Sequence, residues 1–370
     1  MSYKIPVVFA INNNYVKQLA TVIVSILKNS SKHNCFEFNI LSNDLSSENK
    51  NILSSLSSLN KNTSFNFIDM NEITKDFDLE KFMSRRDDYK YISTETYFRF
   101  FIPEIFKDYS KILYLDADIL VLQDLKELYD TDIQNYYAGV VQDTVLEVFI
   151  ADENIKTRTK PERIYTEYFK EKLHKKENSY FNAGVLLLNL DKIREDNIVE
   201  KLWQFTAEES PLEFQDQDVL NAVLEGNVKF VDYKWNTLKD LNWFATQVRD
   251  KKKRKYLLST YKHPGIFHYV GGNKPWLVHE ENYNYACIEE WWKYYKLTPY
   301  FDKKELFILK HARRMKLIHR WKHYLTMSIL GFTIIDVYQE PMILKFKILN
   351  ILKTHIRFKP LKNTQNIRSV

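Results

Sequence analysis

Two carboxylates, Asp116 and Asp118, interrupt an otherwise apolar run between Lys111 and Leu122. Ile112 to Leu115 reads as a strand covered on both faces, as in a parallel α/β sheet. Ligands of such sheets bind beyond the carboxyl ends of the strands, which is where the two Asp fall. Side chains at i and i+2 of an extended chain point the same way, so both carboxylates can face one cation. Left uncompensated in apolar surroundings they would be costly. Three further groups complete an inventory. Phe181-Asn-Ala-Gly184 joins a turn to the apolar strand Val185–Leu188, Gln215-Asp-Gln-Asp218 precedes a helix, and the stretch from His268 to Trp276 collects a histidine, two glycines and Lys274. Hard oxygen ligands for a cation, glycines for backbone approach to phosphate and a lysine counter-charge suit a nucleoside diphosphate.

The elements that must position these residues follow from periodicity. Val7–Ile11 is a first short strand, Asn12 to Tyr15 a turn, and Val16, Leu19, Ala20 and Ile23 recur at helical spacing, with Asn14 as N-cap. Phe36–Leu41 and Phe65–Ile68 are strands separated by a weaker helix over Leu45–Leu59. This βαβαβ opening predicts a doubly wound sheet. Ser93–Phe101 reads as helix, and Asp124-Leu-Lys-Glu127 as a capping box opening another. Tyr136–Val141 and Gly184–Leu190 are further strands; Lys192–Thr206 and Asp216–Leu224 are helices.

The 370 residues accommodate a large α/β domain plus an appendage. Apolar residues at 45% and charged ones at 28% exclude a disordered chain. Cys35 and Cys287 fit no zinc or redox spacing, the N-terminus reads as a strand rather than a signal peptide, and no apolar run reaches spanning length; together these point to the cytosol. Residues 302–370 hold 15 Lys/Arg against 4 Asp/Glu, which leaves the first 301 residues net acidic. In that tail Lys303, Lys304, Arg313, Arg314, Lys316, Arg320 and Lys322 alternate with Leu306, Phe307, Ile308, Leu317, Ile318 and Trp321. Basic charge mixed with large apolar residues describes an interfacial helix on anionic lipid. The alternatives are a helical cap on the catalytic domain or a nucleic-acid tail, the latter without a recognisable binding module. Two domains are expected, 1–301 catalytic and 302–370 a basic, mostly helical extension associated with a membrane surface.

Over about residues 5–301 the ordered motifs resemble glycosyltransferase family 8, whose members are retaining enzymes of GT-A fold, a Rossmann-like mixed sheet flanked by helices. Val8 to Tyr15 looks like the uridine-binding segment, Ser93 to Arg99 like the segment whose arginine reaches the donor, and Leu115-Asp-Ala-Asp118 like the metal motif. The segments at Phe181 and Gln215 look like those that bind the sugar, and His268 to Trp276 like the final metal and phosphate motif. The resemblance implies Asp116, Asp118 and His268 as ligands of Mn²⁺ or Mg²⁺, with Ala117 beside them. It implies Ala10, Asn12, Asn14 and Tyr15 on uridine, and Gly271 and Lys274 on the diphosphate. Arg99, Asp143, Asn182, Ala183, Asp216 and Gln217 would surround the sugar, with Gln217, Asp216 and Asp143 as the catalytic set. Asn12 stands where family members often carry an acid, and its amide can still accept from the uracil N–H. The implied activity is metal-dependent transfer of galactose or glucose from a UDP-sugar to a saccharide or lipid-linked acceptor of a bacterial surface glycan, on the inner face of the cytoplasmic membrane. Because Gln217 is a poor nucleophile, front-face attack is preferred over double displacement. A sugar nucleotidyltransferase would show a Gly-rich basic loop after the first strand, which Asn12 to Tyr15 is not; a non-catalytic binding module would not need the metal set.

Overall fold

The computed structural model describes residues 3–82, 93–151, 165–175, 179–272, 274–277, 288–307 and 310, and four strands between 326 and 357. They fall into two compact units, Met1–Pro275 with Ala286–Phe301, and Trp276–Tyr285 with Asp302–Val370.

The first unit is built on β1 (Tyr3–Ala10), β2 (Asn34–Ser42), β3 (Thr63–Asp69), β4 (Lys111–Leu115), β6 (Ala138–Gln142), β7 (Phe181–Asn189) and β8 (Val228–Phe230), in the order β3-β2-β1-β4-β7-β6-β8. β3, β2, β1 and β4 run parallel, β7 is antiparallel to both β4 and β6, and β8 is parallel to β6. The βαβαβ opening is therefore present, and a reversed strand in the middle makes the sheet mixed. The near-continuous apolar runs of β1, β4 and β7 are buried on both faces, as a sheet sandwiched by helices requires. Phe181-Asn-Ala-Gly184 forms the first residues of β7 rather than a turn before it.

A second, three-stranded sheet has the order β5-β10-β9, from β5 (Ile119–Val121), β10 (Ile266–His268) and β9 (Thr237–Leu238). Nothing in the periodicity announces it, because each strand is only two or three residues long. The helix Val16–Asn29 is buried over most of its circumference. Asn29 Nδ2 donates to Val121 O at 2.9 Å and to Tyr294 Oη at 2.8 Å, and Val121 N donates to Ser25 Oγ at 3.0 Å, so β5 and the helix Ile288–Tyr295 cover its outer side.

Several local expectations shift. Asn12, not Asn14, caps the turn before that helix, its side chain accepting from Asn14 N at 3.1 Å. Thr94–Phe101 is a 3₁₀-helix, and Lys192–Thr206 divides into Leu190–Glu195 and Ile198–Glu209 where Asn197 takes φ +51°. Asp124 opens only a single turn, Lys126–Tyr129, and ties Ser31 N and Asn34 Nδ2 instead.

Between residues 326 and 357 the second unit carries strands where a mostly helical extension was expected, whereas Lys303–Glu305 is a 3₁₀-helix. β11 (Thr326–Ile329), β12 (Phe332–Glu340), β13 (Ile343–Ile348) and β14 (Leu352–Arg357) form an antiparallel meander in that order. The sequence carries both signals here: Leu344-Lys-Phe-Lys-Ile348 alternates with period two, and Phe332–Tyr338 is rich in β-branched and aromatic residues. Arg313, Arg314, Lys316, Arg320, Lys322 and Cys287 lie outside the described residues.

Candidate active site

β4 ends at Leu115, and Asp116 is anchored there by its own N–H, which donates to Gly184 O of β7 at 2.9 Å. Asp118 precedes β5, whose antiparallel pairing with β10 sets Ile119 opposite His268. The small sheet thus brings residues 150 positions apart together: His268 Nε2 lies 3.1 Å from Asp118 Oδ1 and 3.8 Å from Asp116 Oδ2. One ligand atom from each of the three lies within 4.8 Å of the others. The imidazole Nδ1 is held 2.8 Å from Asn236 Oδ1. As an amide oxygen can only accept, Nδ1 carries a proton, and Nε2 is the ring nitrogen that faces the two carboxylates. Asn236 is itself aimed by donating from Nδ2 to Asn182 Oδ1 at 2.8 Å. Two hard oxygens and an imidazole nitrogen of fixed tautomer fit Mn²⁺ or Mg²⁺.

Gly184 explains itself in this frame. A Cβ there would stand 2.3 Å from His268 Cε1 and 2.7 Å from Asp116 Oδ2, inside the ligand set. Gly271 takes φ +71°, a conformation that side chains disfavour. Lys274 pairs with Asp118 Oδ2 and donates to Tyr269 O at 2.6 Å. Burial alone would raise the Asp118 carboxyl, but Lys274 and His268 outweigh it and hold it well below the usual range. Lys239 is a second buried lysine on the cavity wall; burial pushes it down to about 8, Lys274 adding and Asp240 and Asp118 opposing.

A second cluster lies in the same cavity of about 830 Å³. Arg99 does not stand free for a ligand. Nη2 reaches Asp116 Oδ1 at 3.2 Å, Nη1 donates to Ala183 O at 2.6 Å, and Nε lies 3.1 Å from Asp216 Oδ2. Its guanidinium sits 4.4 Å over the Tyr114 ring, and Tyr114 Oη donates to Asp116 Oδ1 at 2.9 Å. Arg99 therefore joins Asp116 to Asp216. Thr96 Oγ1 donates to Asp216 Oδ1. Gln217 Oε1 accepts from Asn182 Nδ2 and from Ala183 N, each at 3.0 Å, so its carbonyl is committed. Asp143 caps the helix Thr144–Ala151, Oδ1 accepting from Val145 N at 2.9 Å and Leu146 N at 3.1 Å, and burial raises its carboxyl. Gln215, at φ +50° and buried, starts the turn that presents Asp216 and Gln217.

Of the residues expected from sequence, Ala10, Asn12, Tyr15, Arg99, Asp116, Ala117, Asp118, Asp143, Asn182, Ala183, Asp216, Gln217, His268, Gly271 and Lys274 all line this cavity. Asn14 is exposed and lines an adjoining polar recess with Asn12, Asn43 and Asp44. Sequence reasoning missed Asn236, Lys239 and Tyr114. Tyr114 sits two residues before Asp116, a same-face position that could have flagged it; the other two carry no spacing signal.

The sequence model described as glycosyl transferase family 8 matches residues 6–280. A putative glycosyltransferase of Haemophilus influenzae is 33% identical over 271 residues, 73% of this chain and 72% of that one. A lipopolysaccharide 1,2-glucosyltransferase of Escherichia coli is 26% identical over 317 residues, 84% of each. The solved apo structure of the bifunctional glycosyltransferase WbbM superimposes with a TM-score of 0.70 at 27% identity, covering 84% of this chain and 52% of that protein, so this chain spans about half its length. The mixed sheet with its flanking helices is the GT-A arrangement expected from the motifs.

Proposed function

Because this chain belongs to glycosyl transferase family 8, we propose that it transfers galactose or glucose from a UDP-sugar to a saccharide acceptor of a bacterial surface glycan such as lipopolysaccharide, with retention at the anomeric carbon. The observation that carries this reading is the meeting of Asp116, Asp118 and His268 with Lys274 in one cavity with Asn182, Asp216 and Gln217. Mn²⁺ or Mg²⁺ held by Asp116, Asp118 and His268 would supply Lewis-acid neutralisation of the departing diphosphate. Lys274 and Lys239 add fixed positive charge at the same place. Ala10, Asn12 and Tyr15 receive the uridine, and the glycine backbone at 271 approaches the phosphates.

Asp216, oriented by Thr96 and Arg99, and Gln217, oriented by Asn182 and Ala183, hold the sugar hydroxyls. An amide whose oxygen already accepts two hydrogen bonds is a poor nucleophile, and Asp143 is committed to a helix cap. The acceptor hydroxyl therefore attacks from the face that UDP leaves. The bond from the anomeric carbon to the phosphate oxygen breaks, the bond to the acceptor oxygen forms, and the hydroxyl proton passes to the leaving phosphate. The segment 302–370, with its excess of basic over acidic residues, supports contact with anionic lipid, where lipid-linked acceptors reside.

A panel of UDP-sugars assayed for metal-dependent UDP release tests the reading. Asp118→Ala should lower turnover by at least about 100-fold through loss of transition-state charge stabilisation. Full activity in EDTA would sink the metal assignment, and a trapped sugar–protein adduct on Gln217 or Asp216 would sink the front-face route.

A further inference from the structure

Charge is distributed unevenly within the first unit as well. Residues 241–263 carry seven Lys/Arg and one Asp, whereas the rest of the chain up to residue 301 holds 32 basic and 43 acidic residues. The segment forms two packed helices, Leu241–Gln247 and Lys251–Lys262, joined through Leu241, Ala245 and Leu257. Lys251, Arg254, Lys255, Leu258, Ser259 and Lys262 recur at spacings of three and four, share one face of the second helix, and line a groove of about 440 Å³.

Local physics does not favour this arrangement. Five consecutive cations, Lys251 to Lys255, begin a helix at the end where the macrodipole disfavours positive charge. Lys251 and Lys255 are a like-charged i,i+4 pair, which also destabilises. The single acid, Asp250, is used as the N-cap, its side chain accepting from Lys252 N and Lys253 N. Within the protein, Lys253 pairs with Glu147, and the Arg254 guanidinium donates to Val248 O. Lys251, Lys252, Lys255 and Lys262 are exposed. So is Trp243 on the partner helix, at 61% of its surface, stacked edge-on against Phe244 with ring centroids 4.7 Å apart. Tyr256 is exposed at 43%.

We propose that this helical pair is a docking surface for an anionic lipid bilayer. The lysine face lies at the headgroup phosphates and Trp243 in the interfacial layer. A soluble polyanion would satisfy the lysines but leave the large exposed indole in water, whereas the headgroup boundary suits both an amphipathic ring and cations. The pair borders the chemistry, since Phe244 and Asp240 line the catalytic cavity. Docking here brings that cavity to a membrane-borne acceptor by a route separate from segment 302–370, and the surface argument does not depend on which donor is used.

The test is co-sedimentation of the full-length chain with phosphatidylcholine vesicles, with and without phosphatidylglycerol. The triple variant Lys251→Gln, Lys252→Gln, Lys255→Gln should lose roughly 10- to 100-fold in partition coefficient on the anionic vesicles, given the contribution of each lysine near such a surface. Trp243→Ala should lose severalfold. Both should keep UDP release from the soluble donor unchanged, which shows that they are folded. A triple variant that partitions like the wild type overturns the proposal. So does a Trp243→Ala protein with undiminished partitioning, because the indole would then not enter the interfacial layer and the case for a bilayer over a soluble polyanion would be lost.

Discussion

Asn236 makes no contact that a motif search would seek, yet it decides which nitrogen of His268 faces Asp116 and Asp118. Replacing it with Ala removes the acceptor for Nδ1–H and lets the ring adopt the other tautomer. Asn236→Ala should weaken Mn²⁺ binding by roughly 10- to 100-fold, as measured by metal titration, with a smaller effect on the melting temperature. Asp218 shows a buried carboxylate with a different task. Tyr168 Oη, Tyr180 Oη and Phe214 N donate to it at 2.7, 2.6 and 2.7 Å. Burial pushes its carboxyl up to about 6 from 3.8; these hydrogen bonds oppose the rise and Glu213 adds to it. An acid whose pKa is raised by folding binds protons more tightly in the native state, so its contribution is full below pH 3.8 and is lost as pH rises through 6. Relative to Asp218→Asn, the wild type should gain about 2 kcal/mol between neutral and mildly acid pH, read from denaturant midpoints at each pH. Equal pH dependence in the two proteins would contradict this.

At the scale of elements, the 3₁₀-helix Thr94–Phe101 carries Thr96 and Arg99 and depends on the helix Ile198–Glu209 for its position. Trp203 of that helix stands 5.1 Å from the Phe100 ring, 5.1 Å from Phe101, 6.2 Å from Tyr97 and 5.0 Å from Phe77, centroid to centroid. Trp203→Ala should destabilise by about 3 kcal/mol and lower the thermal midpoint by several degrees. It should also reduce turnover beyond the stability loss, because Arg99 no longer holds Asp116 and Asp216 in register. Helical spacing correctly indicated a helix near Ser93, but its 3₁₀ form depends on this aromatic packing. The tail at 326–357 shows the opposite case: alternation of Lys with Leu, Phe and Ile fits a strand as well as an interfacial helix, and pairing between neighbouring segments settles it as a sheet.

At the scale of the molecule, every residue named in the candidate active site lies within Met1–Pro275. A chain ending at residue 301 should therefore retain UDP release within about twofold of the full chain, assayed at matched concentrations, while its sedimentation with anionic vesicles falls. Loss of UDP release would show that the second unit contributes to the first. The sequence by itself determined the α/β class and the parallel opening, because apolar runs are local properties, and its family resemblance named most of the cavity's polar residues but not Thr96, Tyr114 or Lys239. Asp116 and Asp118 were legible since two carboxylates in an apolar strand demand an explanation within a few residues. The resemblance implied His268 as their partner, but only the tertiary structure supplies the contact, because the antiparallel pairing of β5 with β10 brings together residues 150 positions apart. It alone recruited Asn236 as the anchor of His268 Nδ1, tied Arg99 to Asp116 and Asp216, and set Asp143 at a helix start, with Arg99 and Asp143 still on the cavity wall. Hydrogen-bond partners depend on register and burial across distant strands, and neither is written in the spacing of any one segment.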